Sequence, residues 1–466
     1  MDFDEVLEEI GQFGRYQVIN YVLICLPVLF SAANSLTYVF TAGVPRYRCH
    51  VPGCDDEENA SYSAPWLPEV IPPSEQENSA WSNTYTPDQC FMYTPESNFT
   101  DNSCALGHFS NDKVKCDSWI YEDNERTIVG EWNITCIENQ WKLSLVGTVH
   151  FAGILMGSIV FGLLADRFGR KLVFVFCILL MSVTGIAQAV SPDYITFQVF
   201  VFINALGTAG VYPLAFIIGV ELVGKQKREM SGIILNYFYA VGEAAVGLVA
   251  WLTKDWMAIQ LAVSAPPALF ALYYWFIPES VRWLLAKNMN RKAGKIVKKA
   301  AKVNRVVLSE RLLSSFDERK TKSEKGEDMA EEKEAQGIMK TIIQICKSKS
   351  CFCVPSTCFI IDLNWAVILL FLIGKLGITS SFGVIVVYTA ELYPTVMRSI
   401  GVGTSSTVAR VGAMVAPFAP LLGIYMQALP LLLFGIVSFI AGVLALFFPE
   451  TLGTRLPDTV EELENL

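Results

Sequence analysis

The sequence predicts an all-α membrane protein made of two like helical bundles, the first complete with six spans and the second cut to about three. Three observations predict it. The 466 residues are 52% hydrophobic and only 17% charged, against roughly 25% charged in soluble domains. Apolar runs long enough to cross about 30 Å of hydrocarbon recur along the chain. And one stretch occurs twice. The first copy is Glu221-Leu-Val-Gly-Lys-Gln-Lys-Arg228, two apolar segments, then Phe276-Ile-Pro-Glu-Ser280. The second is Glu391-Leu-Tyr-Pro-Thr-Val-Met-Arg398, two apolar segments, then Phe448-Pro-Glu-Thr451. Glu221 to Pro278 is 57 residues and Glu391 to Pro449 is 58. Two motifs at matched spacing are a duplicated unit, the sequence mark of carriers built from like halves.

Residues 1–17 read as a short amphipathic segment on the cytosolic side. The first apolar run, 18–40, follows an acidic flank (Asp2, Asp4, Glu5, Glu8, Glu9) with no clean small-residue cleavage site, so it reads as a retained span and not a signal peptide. The polar region 43–140 holds Cys49, Cys54, Cys90, Cys104, Cys116 and Cys136 together with the sequons at Asn59, Asn98 and Asn133. Cysteines beside sequons imply an oxidising extracellular compartment and three disulfides, with fifteen connectivities open. Five further runs lie at 143–165, 172–190, 195–220, 231–252 and 257–277. Arg167, Arg170 and Lys171, then Lys225, Lys227 and Arg228, then Arg282, Lys287, Arg291 and Lys292 occupy alternate junctions, which places those junctions in the cytosol. The expected division is therefore an N-terminal bundle over 1–278, a charged cytosolic linker with partial helix over 279–350, a truncated C-terminal bundle over 351–449 and an acidic tail over 450–466.

The second half is short. Its runs lie at 365–389, 400–424 and 429–448, and the only apolar stretch before them, 351–361, is too short to span as a helix. Spans seven to nine of a twelve-span plan are missing. Parity then puts Glu391–Arg398 outside, whereas parallel repeats put it on the same face as Glu221–Arg228. A strained crossing, a span that fails to insert or an inverted C-terminal trio would resolve the conflict. The chain reads as a deletion form of a complete protein.

Gly162-Leu-Leu-Ala-Asp166-Arg167-Phe-Gly169-Arg170-Lys171, between runs two and three, resembles the loop signature of the major facilitator superfamily. Further motifs narrow this. Phe3-Asp4-Glu5-Val6 with Gly11-Gln-Phe-Gly14, the Cys-rich first loop, Glu131-Trp-Asn133, Pro278-Glu-Ser-Val-Arg-Trp283 and Ala390-Glu-Leu-Tyr-Pro-Thr395 resemble the organic cation, organic anion and carnitine transporter family. The resemblance implies a multi-pass plasma-membrane carrier that moves small organic ions by alternating access without ATP. It leaves room for a coupling ion and a homo-oligomer. It also implies that Asp166, Arg167, Glu221 and Arg228 latch the cytosolic side of the halves; Arg170, Glu279, Arg282, Glu391 and Arg398 complete this candidate gate.

Three ionisable residues fall within runs: Glu243, Lys375 and Arg410. Each costs roughly 2.5–3.5 kcal/mol at a helix centre if unpaired, so they should face a cavity or one another. Glu243 is the candidate counter-charge for a cationic group and Arg410 for a carboxylate, a combination that suits a zwitterion such as carnitine. A structural ion pair of Glu243 with Lys375 or Arg410 is the alternative. Tyr212, Tyr237, Tyr239, Trp251 and Tyr388 are candidates for cation–π contact with an ammonium, although packing is the commoner role. Asn34, Asn204 and Asn236 suit helix–helix hydrogen bonds as well as solute contact. The candidate substrate set is Glu243, Arg410, Lys375, Tyr212, Tyr239, Asn236 and Tyr388.

Other classes are excluded by chemistry. Gly219–Gln226 resembles a phosphate loop but ends in Gln where magnesium needs a hydroxyl. Cys346, Cys351, Cys353 and Cys358 lack paired metal spacing. No basic stripe for nucleic acid appears and no nucleophile–base set, so neither enzyme activity, cofactor nor metal is expected. The competing reading is a non-transporting truncated isoform that acts by associating with the complete transporter or is its by-product.

Overall fold

The computed structural model describes residues 3–11, 13–55, 60–74, 85–95, 109–122, 125–224, 227–309, 398–423, 426 and 429–445. The chain divides into two compact units, 1–318 and 319–466. In the first, α1 (Phe3–Ile10) leads into α2 (Arg15–Thr41), and the outer region carries the short α3 (Leu67–Val70) and α4 (Ile128–Glu131). Then come α5 (Gln140–Phe168), α6 (Arg170–Ala189), α7 (Tyr194–Leu222), α8 (Arg228–Thr253), α9 (Trp256–Ser264) and α10 (Tyr273–Phe276). Six segments among the described residues are long and apolar enough to cross a membrane: Arg15–Thr41, Ile137–Phe168, Arg170–Ala189, Tyr194–Leu222, Met230–Thr253 and Trp256–Phe276. They coincide with the six expected runs. The sixth is interrupted: Pro266 and Pro267 remove two amide donors, and the chain continues as a 3-10 turn over Pro266–Leu272 before α10 resumes.

The bundle core joins α2, α5, α6, α7 and α8 through Ile24, Val28, Phe161, Phe174, Ile178, Met181, Val211, Leu214 and Leu235. Small residues let backbones approach: a Cβ on Gly153 or Gly157 of α5 would lie 2.6 Å from the Phe202 carbonyl oxygen or 2.5 Å from that of Leu206 on α7. This is the packing expected where lipid offers no hydrophobic drive and close contact must supply the attraction. Polar residues are spent on the same task. Asn204 Nδ2 donates to the Met181 carbonyl at 2.7 Å, Ser264 Oγ to Asn34 Oδ1 at 3.3 Å and Ser182 Oγ to the Ser264 carbonyl at 2.6 Å. Asn34 and Asn204 are thus interhelical ties in the bundle interior.

The outer region pairs β1 (Tyr47–Cys49) with β4 (Trp119–Tyr121), and β2 (Phe91–Pro95) with β3 (Phe109–Lys115), both antiparallel. Cys49 bonds to Cys116 and Cys90 to Cys136. Cys54 is also disulfide-bonded; Cys104 lies outside the described residues. The hydrophobic core here is small: Cys49, Val51, Leu67, Val70, Ile71 and Cys116. Covalent staples compensate where so little apolar surface is buried. The region rests on the bundle through stacked rings, with Trp132 5.6 Å from Trp256 and 5.1 Å from Phe197. Asn133 of the third sequon is exposed, in the left-handed conformation that Asn tolerates. Asn59 and Asn98 lie outside the described residues.

Beyond α10, α11 (Val281–Ala286) and α12 (Asn290–Asn304) occupy the front of the expected linker. They pack on α1 through Val6, Leu7, Ile10, Tyr16, Leu284, Ala293, Val297 and Ala300. The second unit contains α13 (Arg398–Val415), a 3-10 turn over Ala416–Phe418, α14 (Ala419–Leu422) and α15 (Leu429–Ala445). These correspond to the last two expected runs; the run at 365–389 and the cysteines at 346–358 lie outside the described residues.

Candidate functional site

Two constellations gather the expected site residues of the first unit. One lies on α7 and α8. Asn236, Tyr239 and Glu243 are spaced three and then four residues apart on α8, so they share a helical face. Tyr212 of α7 reaches that face: its hydroxyl donates to Asn236 Oδ1 at 2.9 Å, and its ring meets Tyr239 edge-on at 5.3 Å. The Tyr239 hydroxyl lies beside Ser35 of α2 and within the field of Glu243. Tyr212, Tyr239 and Glu243 are half-buried, and Asn236 is exposed. Only 17% of the apolar window of α8 is buried, against 61% for α6 and α7. The face of α8 that carries Asn236, Tyr239 and Glu243 is a partly open wall of the bundle, with Asn236 exposed and Tyr239 resting on the core, whereas Asn34 and Asn204 point inward. Tyr237 and Trp251, 68% and 72% exposed, stand outside this cluster. Arg410 is half-buried in α13 of the second unit and is not without a partner. Lys375 and Tyr388 lie outside the described residues.

The other constellation sits at the opposite end from the disulfides, where α5 meets α6, α7 ends and α11 begins. Gly169 makes the α5–α6 turn with φ +109°, a conformation that side chains resist, and a Cβ there would lie 2.7 Å from Glu279 Oε2. Glu279 Oε1 accepts from the backbone N–H of Lys171 at 3.0 Å and of Ser280 at 3.1 Å. A carboxylate thus caps the positive end of α6. Arg170 forms an ion pair with Glu221 at the end of α7. Asp166, Glu279 and Arg282 lie in the electrostatic field of Arg170. Ser280 Oγ donates to Glu221 Oε2 and accepts from the Trp283 N–H at 3.2 Å. Trp283 Nε1 donates to the Asp166 carbonyl at 2.9 Å. The partners named in this network, all among the described residues, belong to the first unit. Arg167 is turned away and stacks over Phe168 at 5.7 Å. Glu391 and the side chains of Arg228 and Arg398 lie outside what is described.

Sequence reasoning passed over Ser280 and Trp283 as participants. The signal was present: a Ser three residues before a Trp at the start of an apolar run is an N-cap pattern. The short helix it opens carries Trp283 back to the end of α5.

Known proteins agree with this architecture. Residues 106–353 match the family model for sugar (and other) transporters. The organic cation transporter protein of Drosophila melanogaster is 30% identical over 536 aligned positions, covering 100% of this chain and 95% of the relative. Organic cation/carnitine transporter 2 of Mus musculus is 30% identical over 533 positions, covering 99% and 94%. Because 466 residues occupy a 536-position alignment, at least about 70 positions of the fly protein have no counterpart here, as an internal deletion requires. The inward-open xylose transporter XylE from E. coli shares the fold, with a TM-score of 0.50 at 16% identity over 70% of this chain and 89% of its own. A complete six-span bundle, a shortened second half and these relatives place the chain in the organic cation, organic anion and carnitine transporter family of the major facilitator superfamily, as a membrane transporter and not an enzyme.

Proposed function

We propose that this chain moves a small organic cation, or a zwitterion such as carnitine, across the plasma membrane by alternating access. The observation that carries this reading is the Tyr212–Asn236–Tyr239–Glu243 cluster on the open wall of α7 and α8. Two aromatic rings and one carboxylate on a single face suit an ammonium group, which ring faces attract by about 0.5–2 kcal/mol. For a zwitterion, Arg410, Lys375 and Tyr388 are the proposed contacts of its carboxylate. The charge network around Arg170 and Glu221 acts as the cytosolic gate, joined by Asp166, Arg167, Arg228, Glu279, Arg282, Glu391 and Arg398. The domain scheme is a bundle over 1–278, a linker over 279–350, a shortened bundle over 351–449 and a tail over 450–466. The disulfide-bonded region supports a cell-surface location, with glycans at Asn59, Asn98 and Asn133. A co-transported ion and pairing of two copies complete the reading.

Uptake of radiolabelled carnitine and tetraethylammonium by cells that display the chain at their surface tests this. Glu243→Gln should abolish uptake of both, and Arg410→Ala should abolish carnitine uptake while sparing tetraethylammonium. Surface display without uptake of either would overturn it. The second reading, a non-transporting form that acts by association with the complete transporter, is favoured by the roughly 70 missing positions. Reduced uptake by a co-expressed complete transporter, with none by this chain alone, would support it.

A further inference from the structure

The most concentrated positive charge on the chain is on α12, which neither the gate nor the open wall uses. Its buried residues Ala293, Gly294, Val297, Ala300 and Ala301 form one face against α1 and α11. Arg291, Lys292, Lys295, Lys298, Lys299 and Lys302 are all exposed around the rest. Residues 290–309 contain no acidic side chain. None of the six cations forms an ion pair among the described residues.

Two contacts set the depth of this helix. At its C-terminal end, Asn304 Oδ1 accepts from the Tyr16 N–H at 2.9 Å, and Asn304 Nδ2 donates to the Ile10 carbonyl at 3.1 Å and to Gln17 Oε1 at 2.9 Å. Tyr16 is in the first turn of α2, so α12 is pinned where the first span enters the membrane. Further along, Lys299 is close enough to Lys171, in the first turn of α6, to repel it. Lys171 Nζ lies 5.0 Å from the centre of the Tyr274 ring, and Tyr274 and Trp275 are 48% and 71% exposed at the end of the sixth span. Exposed Tyr and Trp at a span end mark the headgroup level. Glu279 is the stronger electrostatic neighbour of Lys171 and offsets part of its charge, while Lys299 and the rest of the α12 row have no carboxylate partner among the described residues.

We propose that Lys171 and Lys299, extended by the cations of α12, bind the phosphate of an anionic phospholipid in the inner leaflet. Two like charges at headgroup depth gain from a shared anion, and the lipid phosphate is the anion present there. A basic row held at this surface also gathers acidic lipid within about one Debye length of the aqueous interface, ~8 Å at physiological salt. This inference rests on the membrane orientation alone and stands whether or not the chain moves a solute.

Native mass spectrometry of the purified full chain in detergent, titrated with dioctanoyl phosphatidylserine, dioctanoyl phosphatidylinositol bisphosphate and dioctanoyl phosphatidylcholine, tests it. The two acidic lipids should bind about tenfold or more tightly than phosphatidylcholine, the preference weakening with salt. Lys171→Gln with Lys299→Gln should remove most of that preference. Lys295→Gln with Lys298→Gln and Lys302→Gln, on the exposed side of α12, should weaken it by a smaller factor, about threefold, without touching the span ends. Equal binding of all three lipids, or an unchanged preference in both variants, would overturn the site. So would competition for it by free inositol phosphate as effective as the lipid itself.

Discussion

The two ends of the N-terminal bundle are held by opposite means. At the outer end, Cys49–Cys116 and Cys90–Cys136 clamp short strands, and Arg48 is buried whole. Arg48 Nη1 and Nη2 reach Asp55 at 2.8 and 2.7 Å, its remaining donors go to the carbonyls of Cys49, Ser61 and Tyr62, and its guanidinium stacks on Trp66 at 5.3 Å. At the other end, no covalent bond is involved among the described residues. Arg170, Glu221, Glu279, Ser280 and Trp283 are joined by an ion pair and single hydrogen bonds, with the Arg170 and Glu221 side chains 18% and 15% exposed. The difference teaches that permanence and reversibility are segregated. A carrier that alternates must break contacts at a gate and keep its outer region intact, and bonds of a few kcal/mol in partial contact with water can be exchanged where disulfides cannot.

The comparison can be broken or sharpened by substitution. The largest effect is expected at Arg48. Arg48→Met leaves Asp55 buried without its partner and should destabilise the outer region by about 3–5 kcal/mol, read as loss of surface display and of protease resistance. Cys49→Ser with Cys116→Ser should follow, at about 2–4 kcal/mol; retention of full protease resistance would show that the small core suffices without that staple. At the opposite end, Arg170→Gln removes a charged hydrogen-bonding partner of Glu221, a loss of about 1.5–3 kcal/mol. Uptake should fall much further than the thermal midpoint if this pair serves the proposed gate and not the core. Equal losses in both measurements would make the network a structural clamp like the outer one. Glu279→Gln weakens the cap of α6 and should lower stability by about 1 kcal/mol, read as a small drop in the thermal midpoint.

The smallest effect is a pH dependence. Asp193 caps α7, accepting from the Thr196 N–H at 2.9 Å and its hydroxyl at 2.8 Å, and these bonds hold its carboxyl below the usual carboxylate range. A depressed value means the stabilisation is present above the unfolded-state value and is lost as pH falls through the folded one. The thermal-midpoint gap between the parent and Asp193→Ala should therefore close on going from neutral pH to below pH ~4, and its closure should be slight because the group is fully exposed.

The spans were legible because a bilayer imposes length and apolarity on any helix that crosses it, so 18–40 and 195–220 could be read without knowing their neighbours. The duplicated Glu221–Arg228 motif and the Cys-rich region were legible for the same reason: each is a local pattern. Other features were not. Asn34, Asn204 and Asn236 look alike in sequence, yet two tie helices together inside the bundle and the third bonds to Tyr212 on its exposed side, because helix rotation is set by close contacts such as Gly153 and Gly157 against α7. Disulfide pairing depends on which strands meet, and six cysteines leave that choice open.

By itself, then, the sequence determined a six-span apolar first half, a depleted second half and a charged junction between spans two and three, all consequences of composition and spacing along the chain. Only the tertiary structure decided that Glu221, Glu279 and Ser280, up to 59 residues apart, converge on Arg170, and that α12 is moored to the mouth of α2 by Asn304. Those are contacts between helix ends, and their positions follow from how the helices pack and tilt against one another, which the linear order of residues does not encode locally.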